Sequence, residues 1–113
     1  MIFKLKEKCL ESPEKEFFYG NIANNDIKNV YLGLGYLDAN EDRSFAPGKG
    51  HEEILYLFEG EIEIKFEKEK ILLNAGEAFH ASGSEMINIT NLTDGRIFFV
   101  IAGGHTEPHA HSI

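Results

Sequence analysis

The 113-residue chain has no tryptophan, one cysteine and three prolines. The lone Cys9 excludes an intramolecular disulfide, and the opening MIFKLKEK lacks the apolar run of an export signal, so a reducing cytoplasm is the expected compartment. No stretch approaches the roughly 20 consecutive apolar residues of a membrane-spanning helix. Basic residues are also scarce: 11 Lys and Arg stand against 19 Asp and Glu, a formal charge of -8. Such a surface repels polyanions, which argues against nucleic acid or an anionic membrane as partner. Gly-rich phosphate loops, Cys-x-x-Cys pairs and Gly-x-Ser-x-Gly elbows are missing, so nucleotide binding, dithiol redox chemistry and serine-esterase chemistry have no support.

What is present is the material of a globular protein, 42% apolar and 27% charged. The length suits one domain over residues 1–113, closing in a short histidine-containing tail at 103–113. The period is that of strands. Phe3 and Leu5 alternate with Lys4 and Lys6, and EIEIKFE alternates apolar with charged, the pattern of strands with one wet face. NVYLGLGYL, ILYLF, KILL and RIFFVIA are short, rich in β-branched and aromatic residues, and read as further strands, about eight in all. The best helical candidate, KEKCLESPEKEFF, is interrupted by Pro13, so helix is expected to be minor. Glu59-Gly60-Glu61 and Lys68-Glu69 are expected to close hairpins. Gly33 and Gly35 share one face of their strand and read as sites of barrel curvature rather than of ligand access. The expectation is an all-β, antiparallel protein.

One stretch narrows the choice of fold. In HEEILYLFEGEIEI, Glu53 is followed by six residues and Gly60, a spacing that resembles the first motif of the cupin superfamily. NAGEAFHASGSEMINITN resembles the second motif more loosely, through Gly76-Glu77, Gly83 and Asn91. The resemblance covers roughly Phe45 to Ala102. It implies an antiparallel double-stranded β-helix, the jelly-roll or cupin barrel, often assembled as a homodimer. It also implies a divalent metal, which typical members hold with a His-x-His pair before the glutamate, the glutamate itself and a histidine of the second motif. Here Pro47 and Lys49 stand where the first two histidines belong, and Met86 or Ile87 where the last should fall. Lysine as its ammonium cannot ligate, proline has no donor, and a thioether suits Cu(I).

The remaining candidates are read one by one. His51 and Glu53 are two apart and share a strand face, so together they could supply half a metal site. A carboxylate inside a small barrel must bind metal, pair with a cation or take up a proton, and Lys49 is the expected cation. His80 and Met86 are candidate ligand contacts, set against the simpler readings of a hydrogen-bonded histidine and a core filler. In the tail, His105, His109 and His111 lie within seven residues, and His109-Ala110-His111 restores the His-x-His spacing. At about 3.3 Å per residue an extended tail from Gly104 could reach roughly 25 to 30 Å, enough to return over the barrel mouth. The competing reading is a solvated terminus that binds metal adventitiously.

Three functions follow. The first is a small cytoplasmic binding protein that holds a small molecule in its barrel, with Lys49, His80 and Met86 among the ligand contacts. The second is a metal-dependent isomerase, lyase or dioxygenase, in which His51, Glu53, His105, His109 and His111 hold Zn, Ni, Fe, Mn or Cu. The third is a metal-delivering or metal-sensing tail on a structural barrel.

Overall fold

The structure is a computed structural model that describes residues 2–106. One short helix, α1 (Leu5–Glu11), precedes nine strands: β1 (Glu16–Tyr19), β2 (Val30–Leu37), β3 (Asp42–Phe45), β4 (Gly48–Leu57), β5 (Glu61–Phe66), β6 (Glu69–Asn74), β7 (Ala78–Gly83), β8 (Ile87–Asn91) and β9 (Ile97–His105). They form two antiparallel sheets, ordered β1-β2-β9-β4-β7 and β3-β8-β5-β6. The apolar residues of the alternating strands face one another between the sheets: Leu55, Leu57, Ile62, Ile64, Ile89 and Phe99 are all buried there.

Two local expectations are corrected. Phe3 to Lys6 alternates like a strand, yet Leu5–Glu11 is helical, because Lys, Glu and Leu are good helix formers and Leu5 and Cys9, four apart, share a face. Cys9 is fully buried where α1 packs on β1 and β2, and Ser12-Pro13 ends the helix. Glu59-Gly60 closes no hairpin: β4 and β5 belong to different sheets, and this turn carries the chain from one to the other. Gly60 has φ 73°, and a Cβ there would come within 2.7 Å of the Ile97 side chain. The hairpin expected at Lys68-Glu69 is present, with Phe66 opposite Glu69.

The paired glycines of β2 make room for rings. A Cβ on Gly33 would overlap the Phe18 ring, and one on Gly35 would lie 2.7 Å from the Phe99 ring. The Phe99 ring therefore fills the interior over Gly35, while the partly exposed Phe18 ring covers Gly33.

One end of the barrel is tied shut by polar groups. The fully buried Asn91 amide donates to the carbonyls of Leu37, Asp38 and Gly95, and its oxygen accepts from the Thr93 amide and hydroxyl. Around it, Arg96 and Lys15 bind Asp38, and Lys15 reaches Glu41 at 2.6 Å.

Candidate functional site

Strand register sets a gradient along the interior. Across β2, β9 and β4 the inward rows run Gly35, Phe99, Leu57, then Gly33, Ile101, Leu55, then Tyr31, Gly103, Glu53, and finally His105 beside His51. The first two rows are apolar and the last two carry the chemistry. In the third row Gly103 has no side chain, so the phenol of Tyr31 passes over it and donates to Glu53 Oε2 at 2.6 Å. A Cβ on Gly103 would overlap the Tyr31 ring.

Glu53 is buried, at 7% exposure. Burial pushes its carboxyl above the usual carboxylate range, while the Tyr31 hydrogen bond and the neighbouring His51 partly counter that push. Burial, followed by the hydrogen bond to Glu53, also raises the Tyr31 phenol, so Tyr31 remains a proton donor at neutral pH.

A second polar pair bridges the two sheets. Arg43 of β3 reaches across to Glu16 of β1 at 3.0 Å, donates to the Glu14 and Tyr36 carbonyls, and stacks over Phe99 with its guanidinium 5.6 Å from the ring centre. Between the two polar pairs lies a cavity of about 160 Å³, lined chiefly by Phe18, Arg43, Phe45, Glu53, Phe99 and Ile101. Phe18 also lines a groove of about 300 Å³ at the mouth, with Ile22, Tyr31, Pro47 and His51. A wider cleft of about 460 Å³ between α1 and β1 is open and away from Glu53.

The expected site residues divide. His51 and Glu53 do share the inward face, and His105, across the ladder from His51, joins them at the mouth with the two ring centres 4.6 Å apart. Lys49 does not pair with Glu53. Gly48 at φ 101° and Gly50 at φ 78° flank a register shift in β4 that breaks its period, and Lys49 is left exposed. His80 lies opposite Ile54 on the outer face of the sheet, exposed and bonded to Glu52 at 2.9 Å, so it does not reach the interior. Met86 precedes β8 and is 61% exposed, neither core filler nor pocket wall. His109 and His111 lie outside the described residues.

The four-ligand metal set implied by the family resemblance does not fit these residues. Ile87 is packed in the core, Pro47 and Lys49 supply no ligand, and the Tyr31 hydroxyl occupies a Glu53 oxygen. Among the described residues no three of His, Cys, Asp or Glu converge on one point.

Sequence reasoning missed Tyr31, Arg43 and Glu16. The available signal was composition within strands: a tyrosine and an arginine at inward positions, and a glycine pair in β9 opposite Glu53.

No family model and no curated protein matches the chain by sequence. Solved structures match it in fold. A cupin protein from Bacteroides fragilis superposes with a TM-score of 0.69 at 18% identity, over 88% of this chain and 86% of that one. The Cupin_2 domain of an XRE family transcriptional regulator from Enterobacter cloacae gives 0.67 at 14% identity, over 81% and 98%. The cupin domain of Schizosaccharomyces pombe Cnp3 gives 0.61 at 13% identity over 68% of this chain, which spans 56% of that one. Together with the two antiparallel sheets and the motif glycines in their turns, these likenesses identify the chain's architecture as the cupin fold.

Proposed function

We propose that the chain is a small-molecule-binding cupin whose ligand lies in the cavity between Glu53 and Arg43. The observation that carries this reading is the buried Glu53 carboxylate facing an aromatic-lined space, with one oxygen bonded to Tyr31. A carboxylate taken from water at such a cost is stabilised by any further donor that reaches it. Arg43 is already bonded to Glu16 and two carbonyls, so it acts as a wall rather than an anion receptor.

The ligand class follows from size and lining. A cavity of about 160 Å³ is close to the roughly 150 Å³ that accommodates benzene. A ring of that size would lie among Phe18, Phe45 and Phe99 and present an N–H or O–H to Glu53. Binding without turnover is also in keeping with the fold serving as a domain of a transcriptional regulator in Enterobacter cloacae.

The test is a fragment screen of benzene-sized amines, phenols and azoles by ligand-observed NMR, beside the Ala46→Leu variant, which enlarges a further residue of the cavity lining. Fragments that bind the wild type and lose binding in the variant support the reading. An absence of hits, or hits indifferent to Ala46→Leu in a folded variant, overturns it.

A further inference from the structure

We propose that His51 and His105 form a transition-metal site of their own at the barrel mouth, taking a divalent ion of the Zn²⁺, Ni²⁺ or Cu²⁺ class. The site lies at the mouth above the cavity, and the proposal does not rest on what that cavity binds.

Four observations carry the proposal. First, the two residues are direct partners across the β4·β9 ladder, so both side chains leave the same face at adjacent positions. Second, their ring centres are 4.6 Å apart with planes at 43°. Two imidazoles that share one ion at about 2.0–2.1 Å per nitrogen hold their ring centres roughly 4.5–5 Å apart, so the observed separation matches that of a chelating pair.

Third, His51 Nδ1 lies 3.1 Å from the Lys49 carbonyl oxygen. A carbonyl only accepts, so Nδ1 carries the hydrogen and the neutral ring keeps its lone pair on Nε2. Orientation of a ligating imidazole by a backbone carbonyl on its other nitrogen is the usual support in metal sites. Fourth, the backbone beneath the pair is fixed on both sides: the Thr106 amide donates to the Gly50 carbonyl at 2.9 Å, just beyond the His51 and His105 pairing. The geometry is thus held by the sheet before any ion arrives, which reduces the ordering cost of binding.

Two imidazoles fill two positions and leave the others to solvent or to further donors. Imidazole donors favour the later first-row ions, with Cu²⁺ bound most tightly. The chain's formal charge of -8 raises the local concentration of any cation. His109 and His111 follow only a few residues later in the sequence, so the test must separate their contribution.

The experiment titrates Zn²⁺ into chelator-stripped full-length protein by calorimetry, in a His109→Ala/His111→Ala background and with His51→Ala or His105→Ala added. The expected result is one ion per chain in the background variant, weakened roughly tenfold or more by either further substitution. A background variant that binds no ion, or single variants that bind as tightly as their parent, overturns the proposal. Imidazole ¹⁵N shifts in the wild type give a readout that does not rely on variant folding. Zn²⁺ should move the His51 and His105 signals and leave His80, bonded to Glu52 on the outer face, in place; movement of His80 alone, or of the tail histidines alone, overturns the proposal equally.

Discussion

Replacing Tyr31 with phenylalanine keeps the ring over Gly103 and removes only the hydroxyl that Glu53 accepts from. Glu53 is 7% exposed and that hydroxyl is its hydrogen-bond donor. Hydrogen bonds to charged groups are worth about 1.5–3 kcal/mol, and because Tyr31 is only partly buried the loss belongs in the lower half, about 1.5–2 kcal/mol. For a chain of 113 residues that is a fall in melting temperature of about 6–12 °C. The sign of the pH dependence follows from Glu53, whose carboxyl burial raises. Above its folded value the carboxylate is charged and feels the missing donor in full. As pH falls below the ordinary carboxylate range it is protonated folded and unfolded alike, and the difference between wild type and variant shrinks. The assay is calorimetric melting of both proteins at pH 7.5 and pH 4, with chelator present. Equal melting temperatures at pH 7.5, or a gap that widens in acid, would refute the argument that Tyr31 stabilises a buried charge.

The other predictions concern the closed end and the helix. Asn91→Ala removes an amide that serves three carbonyls and the acceptor of two Thr93 donors, and should cost about 3–4 kcal/mol in urea unfolding; a loss under 1 kcal/mol would show that water replaces it freely. Arg96 holds the Asp38 carboxyl below its usual range, and Lys15 does the same for Glu41. Depressed carboxylates stabilise the fold above about pH 4 and lose that contribution as pH falls through their folded values. Asp38→Asn should therefore melt below wild type at pH 7, and the gap should close only as pH falls below the ordinary aspartate range. Cys9 is fully buried, and burial raises its thiol above the ordinary range. It should react with Ellman's reagent far more slowly in buffer than in urea, and equal rates would place α1 off the sheet.

Legibility in the sequence followed the range of the interactions. Ile62 and Ile64, both fully buried, announce themselves by alternation because the period of a half-buried strand is local. Leu5–Glu11 did not, since seven residues offer a helical stripe only two points, Leu5 and Cys9, while Phe3 to Lys6 imitates a strand. Glu53 was recoverable from its spacing to Gly60, whereas its partner was not: Tyr31 lies 22 residues away, and only strand register brings it over Gly103. The Lys49 expectation failed on the two positive-φ glycines around it, which break the count along β4. His51 and His105 were both singled out, but their adjacency depends on the β4·β9 pairing, which no local pattern encodes.

The position of β9 has a consequence for how the chain is made. Among the described residues it is the last strand, and it is the middle strand of its sheet, bonded to β2 on one side and β4 on the other. Until Ile97–His105 has left the ribosome, β1-β2 and β4-β7 are two separate ribbons, each with a bare edge that only β9 can cover. Synthesis at roughly 5–20 residues per second leaves those edges unpaired for seconds. A chain truncated before Ile97 would therefore present two open templates for intermolecular pairing, the two edges that β9 covers by joining β2 to β4.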